Sequence, residues 1–222
     1  MDSPFGSPSQ WRDDDLIGVS KVFDADLAVL AYENGVFPMP AHGDMMGWYS
    51  PLDRAVLPLD ELRVTRSLRK MQHRYEVRID TAFEAVIDGC ADPNRPSGWI
   101  DQQIRRVYWQ LHEEGVVHSV EAWTLDGQLA GGLYGVAIGG LFAGESMFHR
   151  PDIGRDASKV ALIGLVELLK RDGADRLLDV QWQTPHLASL GVVEIGREDY
   201  LSRLEAALRT SPPDWSTPPA AS

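Results

Sequence analysis

The chain has 222 residues, of which 44% are apolar and 24% are charged, and its formal net charge is −12. The apolar and charged fractions are ordinary for a globular protein with a hydrophobic core. The negative charge argues against a general nucleic-acid-binding surface, because phosphates repel it. Cys90 is the only cysteine, which excludes an intramolecular disulfide and a zinc site built from several cysteines. The sequence has no apolar run long enough to cross a bilayer and no signal-peptide pattern, so we expect a cytoplasmic protein without a membrane partner.

Residues 1–61 are predicted to form a small N-terminal domain. Its first part, residues 1–15, is rich in Pro, Ser and Asp and is expected to be disordered. A short helix is predicted over residues 26–34 and ends at Gly35. The following stretch to residue 59 is rich in Pro and Gly, which is typical of loops.

Residues 62–75, LRVTRSLRKMQHRY, contain five Lys or Arg residues and no acid. If Thr65 caps a helix, the cations recur at the spacing of one helical face, with Leu68 on the opposite side. The cations that we assign to this face are Arg66, Arg69, Lys70 and Arg74, with His73 beside them. Such a face is often only a solvated surface, but it could also bind phosphates on an otherwise acidic protein. The residues alone leave both interpretations open.

Residues 62–210 are predicted to form a second domain, with strands and helices from residue 75 onward. The predicted strands cover residues 75–79, 116–123, 128–138, 141–148 and 176–182. The predicted helices cover residues 81–90, 101–114 and 156–173, and a last one starts at residue 199. The fold class is therefore α+β (mixed α/β), with a mixed, mostly antiparallel sheet. The Pro-rich tail, residues 211–222, is expected to be disordered.

Three polar residues lie on the two strands that flank one predicted helix. Glu145 interrupts the apolar strand LFAGESMFHR, and a buried lone carboxylate is costly unless it is paired, hydrogen-bonded or used. Asp179 and Gln181 are two residues apart on the later strand, so they point to the same face of the sheet. A right-handed crossover makes the two strands parallel and can place them side by side. The three side chains could converge in a cleft, or each could satisfy a strand end or a turn.

A series of motifs runs in order along residues 27–204. The most specific are GGLYGVAIGGLFAGESMFHR at 131–150, DASKVAL at 156–162, LLDVQ at 177–181 and HLASLG at 186–191. Together these motifs resemble the leucyl/phenylalanyl-tRNA–protein transferase family. The resemblance implies a C-terminal GNAT-type acetyltransferase-like domain. It also implies an aminoacyltransferase that moves Leu or Phe, and Met more weakly, from aminoacyl-tRNA to the α-amino group of proteins that begin with Arg or Lys. That product enters the N-degron route to proteolysis, and the reaction needs no metal or other cofactor. We expect a monomer.

The resemblance also assigns site residues. Glu145, Gln181 and Asp179 are implied as the catalytic group, with Glu145 contacting substrate and the other two forming a proton relay. The aminoacyl ester is already activated, so the enzyme must position the amine, take its proton and stabilise an oxyanion. Which group takes the proton stays open at this point. Candidate walls of an apolar pocket for the donor side chain are Trp99, Leu133, Phe142, Met147 and Leu165, although any one of them could be ordinary core. The basic face of 62–75 then becomes the tRNA-binding patch.

Two other functions fit parts of the sequence. An acyl-CoA-dependent N-acetyltransferase of the same fold would need a Gly-rich pyrophosphate loop, whereas DIGRDASK offers a single glycine. A non-catalytic tRNA-binding module would explain the basic helix but not the acid–amide–acid group. Met39 and Pro40 stand where the family commonly has two aromatic residues, which leaves the ranking of donors open. The histidines lack metal-ligand spacing, so no metal site is expected.

Overall fold

The computed structural model describes residues 3–92 and 99–217, and these residues form two β-sheets with helices packed on them. The smaller sheet has the antiparallel order β1-β3-β2, with β1 at Leu16–Ser20, β2 at Phe37–Pro40 and β3 at Met46–Tyr49. The larger sheet has seven strands in the order β10-β4-β9-β8-β7-β6-β5. These strands are β4 Asp53–Val56, β5 Tyr75–Ile79, β6 Val117–Thr124, β7 Leu129–Ile138, β8 Leu141–His149, β9 Leu177–Gln181 and β10 Val193–Gly196. The α-helices are α1 Ala25–Glu33, α2 Arg66–Gln72, α3 Phe83–Cys90, α4 Gln102–Glu113, α5 Ala157–Lys170, α6 Pro185–Ser189 and α7 Arg197–Arg209.

One pair of strands in the larger sheet, β8 and β9, is parallel, and the other pairs are antiparallel. The parallel register runs from Leu141 opposite Leu177 to Ala143 opposite Asp179 and stops there. Both strands continue beyond this point, so the sheet opens between them. The structure thus confirms the mixed, mostly antiparallel sheet expected for a GNAT-type domain, with the two motif-bearing strands adjacent.

Side-chain caps begin the helices that carry or support functional residues. Asp101 caps α4 because its Oδ1 accepts a hydrogen bond from the backbone N–H of Ile104 at 2.9 Å. The Thr65 hydroxyl accepts one from the N–H of Leu68 at 3.1 Å, as predicted for the basic helix α2. Leu68 is buried, so the opposite face of α2 is turned toward solvent.

The two faces of the larger sheet are covered by different helices. Helix α5 lies on one face and buries eleven of its fourteen residues, which explains its almost continuous apolar sequence. Helices α3 and α4 cover the other face with one apolar side each. The motif-bearing strands therefore run between two hydrophobic layers.

The N-terminal region is more structured than its composition suggested. Strand β4 belongs to the larger sheet, although it lies within residues 1–61, which were predicted to form the N-terminal domain. The Trp11 indole N–H donates to the Phe5 carbonyl at 2.7 Å, and the Phe5 ring lies 5.2 Å from the ring of Trp48. Aromatic contacts thus join residues 3–15, which were expected to be disordered, to the core.

The expected loop over 35–59 contains three strands instead. Two prolines obscured the first of them, β2, because proline cannot donate a ladder hydrogen bond. β2 tolerates them as an edge strand of the small sheet.

The C-terminal segment also differs from the expected disordered tail over the residues that the structure describes. Arg176 donates to the Ser211 carbonyl at 3.1 Å, and Arg171 donates to that of Thr217 at 2.9 Å. Trp215 packs against the core beneath α5. The Pro-rich composition of the segment gave no indication that Trp215 would pack against the core. Residues 1–2, 93–98 and 218–222 lie outside the described residues.

Candidate active site

Glu145 lies in a β-bulge of β8. Gly144 pairs with Gly135 of β7 and Ser146 pairs with Tyr134, so Glu145 is the extra residue between two successive pairs. A bulge changes the direction of a side chain relative to the regular alternation of the strand. The Glu145 carboxylate here accepts a hydrogen bond from the Tyr108 hydroxyl of α4 at 2.9 Å. The Tyr108 hydroxyl is in turn 2.7 Å from that of Tyr32.

Gln181 lies at the end of β9 and contacts Glu145 across the opening in the sheet. Its side-chain Nε2 donates to Glu145 Oε1 at 2.7 Å. Gln181 has a φ of 63°, in the left-handed region that residues other than glycine rarely adopt. Such a conformation costs on the order of 1–2 kcal/mol and is often found where function requires a particular geometry.

Asp179 is held by a buried arginine that we did not predict from the sequence. Its carboxylate accepts hydrogen bonds from Arg54 Nε at 2.9 Å and from an Arg54 terminal nitrogen at 2.6 Å, and both side chains are at most 1% exposed. The Tyr200 hydroxyl donates to the same carboxylate at 2.8 Å. Burial is the largest single effect and lowers the pKa of Arg54, but the Asp179 charge, the Tyr200 and Tyr32 hydroxyl groups and the hydrogen bond to Asp179 together raise it more, so the net pKa lies above the ordinary value.

The contact between Asp179 and Gln181 differs from the one a side-chain proton relay would need. Asp179 Oδ1 accepts the backbone N–H of Gln181 at 2.9 Å, while the Gln181 side chain is directed to Glu145. Asp179 therefore fixes the backbone from which Gln181 projects. The three predicted polar residues do come together, but Glu145 and Gln181 form the pair that faces the opening.

The pKa of Glu145 is shifted strongly by this arrangement. Burial raises its pKa, hydrogen bonds from Tyr32 and Tyr108 lower it, the Asp179 charge raises it and Arg54 lowers it. The net effect is a rise of the pKa to about 7. A carboxyl group with a pKa near neutrality is suited to exchange protons with a substrate.

A cavity of about 360 Å³ opens beside this pair. All five predicted wall residues line it: Trp99, Leu133, Phe142, Met147 and Leu165. Glu145 and Gln181 line it as well, so polar groups meet an apolar chamber large enough for a ligand side chain. Neither Met39 nor Pro40 is part of its lining.

Several further wall residues were not predicted from the sequence. They include Leu57, Trp182, Leu187 and Val192, and His186 lines the cavity as well. His186 and Leu187 belong to α6, which the sequence analysis did not predict as a helix.

Comparison with known proteins gives this site its context. A family model described as leucyl/phenylalanyl-tRNA protein transferase matches residues 56–205, and the model of that family's N-terminal domain matches residues 22–52. The chain belongs to the leucyl/phenylalanyl-tRNA–protein transferase family. The transferase of that name from Rubrobacter xylanophilus is 50% identical over 186 residues, which cover 83% of this chain and 94% of the relative. The one from Herpetosiphon aurantiacus is 46% identical over 196 residues, which cover 87% of this chain and 98% of the relative.

Membership of the leucyl/phenylalanyl-tRNA–protein transferase family confirms the resemblance found in the motifs and the prediction that the chain is an enzyme. The two matched regions meet between residues 52 and 56, where the chain enters β4 of the larger sheet. The two family models thus divide the chain close to the start of β4.

In this member of the leucyl/phenylalanyl-tRNA–protein transferase family, three of the four predicted tRNA-binding cations lie on the solvent face of α2, and the fourth, Arg74, follows the end of that helix. Arg66, Arg69, Lys70 and Arg74 are all exposed. Within residues 3–92 and 99–217 none of them forms an ion pair with a carboxylate. Helix α2 packs against α5, the helix that supplies Leu165 to the cavity.

Metal-binding clusters and membrane-spanning helices are both missing from the described part of the chain. No three or more of its His, Cys, Asp or Glu side chains are arranged to hold a metal ion. No helix in the described ranges has the length and apolar character needed to span a bilayer.

Proposed function

We propose that this enzyme transfers Leu or Phe, and Met more weakly, from aminoacyl-tRNA to the α-amino group of a protein that begins with Arg or Lys. The observation that carries the proposal is the position of Glu145. Its carboxylate borders an apolar cavity, and its hydrogen-bond partners, Tyr32, Tyr108 and Gln181, are all neutral. A buried carboxylate without a cationic hydrogen-bond partner favours a substrate that brings a positive charge or a proton.

The cavity supports an apolar donor side chain. The part of the cavity that is walled by Leu133, Phe142, Met147 and Leu165 offers dispersion contacts to an apolar side chain. Such a pocket distinguishes side chains by about 1–3 kcal/mol per methylene. This modest selectivity fits acceptance of Leu, Phe and Met.

In the proposed reaction, Glu145 accepts the proton of the attacking amine. The acceptor nitrogen attacks the ester carbonyl carbon, a C–N bond forms, and the C–O bond to the terminal ribose of the tRNA breaks. The proton passes from the nitrogen to Glu145 and then to the departing ribose hydroxyl. Gln181 keeps the carboxylate in place through its bond to Oε1, and Asp179 fixes the backbone of Gln181. The assignment of the base to Glu145 is supported by its pKa of about 7.

The proposed acceptor preference is supported by charge. The net charge of −12 favours the approach of a cationic peptide end. Proteins marked in this way would enter the N-degron route in the cytoplasm. Aminoacyl-tRNA is attracted by the exposed cations of α2 and not by the acidic remainder of the surface.

An acyl-CoA donor is less well supported. Its pyrophosphate would have to bind at the N-terminus of α5. Asp156 occupies the N-cap of that helix, where its carboxylate bonds to the Lys159 ammonium at 2.8 Å. An acid in this position repels a pyrophosphate and already uses the neighbouring cation.

The direct test of transfer follows labelled Leu from Leu-tRNA into peptides that begin with Arg, Lys or Asp. We expect transfer to the Arg and Lys peptides, and its loss in Glu145→Gln. Glu194→Gln, which neutralises an exposed acid on β10, serves as the matched control and should keep activity. Absence of transfer by the wild type, or full activity of Glu145→Gln, contradicts the proposal.

The proposed tRNA-binding face is tested by its salt dependence. Arg69→Ala combined with Lys70→Ala should weaken tRNA binding and flatten the plot of log affinity against log salt by about one for each phosphate that the protein no longer neutralises. A matched control removes two cations from α7, in Arg203→Ala with Arg209→Ala. Equal effects of the two double variants would show that only net charge matters and that α2 is not the binding face.

A further inference from the structure

The last described segment of the chain, residues 211–217, lies outside both regions matched by the family models. It is nevertheless tied down at both ends, by Arg176 bonded to the Ser211 carbonyl and by Arg171 bonded to the Thr217 carbonyl. Asp214 closes a turn between these points by accepting hydrogen bonds from Ser216 and Thr217. The turn brings one large side chain, Trp215, against the core on the α5 side of the sheet.

Trp215 rests on a histidine whose ring is held in one orientation. The Trp215 and His118 rings are stacked with their centroids 4.1 Å apart and their planes 9° from parallel. His118 Nδ1 is 2.6 Å from Asp80 Oδ2, and this contact fixes the plane of the imidazole. The indole therefore has a rigid platform beneath it.

Trp215 also packs beside Phe142, a residue of the cavity wall. Its ring lies 5.7 Å from the ring of Phe142, which is fully buried and lines the cavity beside Glu145. Phe142 in turn lies over Gly135, where an added Cβ would come within 2.5 Å of Phe142 Cε1. The Phe142 ring is thus confined by the sheet beneath it and by the indole beside it.

We propose that Trp215 is a positioning residue that sets the width of the donor pocket through Phe142. This inference rests on the proposed function, since it takes the cavity to be the site of the donor side chain. Protein interiors are close-packed, so removal of an indole leaves space into which a neighbouring ring can move. A displaced Phe142 widens the pocket, and a wider pocket favours the larger donor.

The experiment compares transfer from Phe-tRNA and Leu-tRNA by the full-length wild type and by Trp215→Ala. We expect the ratio of kcat/KM for Phe over Leu to rise roughly threefold to tenfold in the variant, as a methylene-scale change of pocket volume allows. The change should fall on KM, with kcat for Phe-tRNA nearly constant because Glu145 and Gln181 are untouched. Trp215→Phe, which retains an aromatic ring, should restore most of the original ratio.

Phe142→Leu in both backgrounds tests whether the effect passes through this wall. If it does, the effects of Phe142→Leu and Trp215→Ala on the ratio are not additive. Additive effects would contradict transmission through Phe142. If Trp215→Ala does not fold, Trp215→Leu replaces it, because Leu keeps an apolar side chain at the position. The ratio of kcat/KM for Phe over Leu in Trp215→Leu then tests the proposal.

The outcomes separate this inference from the function on which it rests. If the wild type transfers neither amino acid, the proposed function fails and the inference falls with it. If the wild type transfers both and the folded Trp215 variants keep the wild-type ratio, only the inference is overturned. An equal loss for both donors also overturns it, because that result indicates a purely structural role.

Discussion

Replacement of Glu145 by Gln should abolish transfer and at the same time make the folded protein more stable at alkaline pH. The gain in stability is expected because the pKa of Glu145 rises from 4.5 to about 7 on folding. When a carboxyl pKa is higher in the folded state, the folded state binds the proton more tightly, so ionisation of the group opposes folding. That destabilisation is absent below the unfolded pKa, grows as the pH rises, and is complete above the folded pKa.

The size of the effect follows from the same values. A pKa change from 4.5 to about 7 corresponds to about 3 kcal/mol of destabilisation once the group is fully ionised. Gln removes the charge but accepts hydrogen bonds at only one side-chain atom, so either Tyr108 or Gln181 must then accept where it now donates. This mismatch offsets part of the gain, so we expect a net stabilisation of about 1–3 kcal/mol at about pH 8. The advantage of Gln should shrink by about 2 kcal/mol between about pH 8 and about pH 5.

Urea unfolding of both proteins at these two pH values measures the difference in unfolding free energy. Glu194→Gln provides the control, because it removes an exposed acid from a strand of the same sheet. The reasoning is refuted if Glu145→Gln is less stable than the wild type at the alkaline pH. It is also refuted if the difference between the two proteins is the same at both pH values.

Three further substitutions test the surroundings of the site. Tyr108→Phe removes a hydrogen bond that lowers the Glu145 pKa, so the acid limb of the pH profile of kcat/KM should move upward by as much as about one pH unit. Asp179→Asn leaves the buried charge of Arg54 without its counterion, so thermal unfolding should show a loss of about 3–5 kcal/mol. Gly135→Ala places a Cβ 2.4 Å from the Ala143 carbonyl oxygen and against the Phe142 ring, and denaturant titration should show a loss of about 1–3 kcal/mol or more.

The part of the site that could be predicted from the sequence lies on strongly patterned strands. Glu145 could be recognised because it interrupts an apolar run. Asp179 and Gln181 could be recognised because they lie on the same face of β9, the strand that follows α5. One connection rule, that of the parallel crossover, was enough to place these strands side by side. The cavity walls were predicted for the same reason, since four of the five lie on β7, β8 and α5.

The residues that tune the site could not be found in this way, because they reach it from distant segments. Arg54 is 125 residues from Asp179 and lies on a four-residue strand that proline-rich and glycine-rich neighbours disguised as a loop. Tyr32 and Tyr108 are 76 residues apart on different helices, and only tertiary packing joins their hydroxyl groups. In the sequence, Arg54 directly precedes the apolar residues 55–57. This position was the available signal, because an arginine that is buried with such a strand requires an acidic partner elsewhere in the chain.

The two carboxylates at the opening of the sheet have environments that separate their roles. The Asp179 carboxylate accepts hydrogen bonds from two nitrogens of the Arg54 guanidinium, from the Tyr200 hydroxyl and from the backbone N–H of Gln181. Each of these contacts stabilises its negative charge. Glu145 has only neutral donors, and burial keeps its pKa near 7. Acid–base assignments in enzymes follow from this kind of contrast. If Asp179 were the base, loss of the Tyr108 hydroxyl would leave the pH profile unchanged, because that hydroxyl bonds to Glu145 alone of the two carboxylates. A shift of the profile in Tyr108→Phe therefore assigns the proton to Glu145.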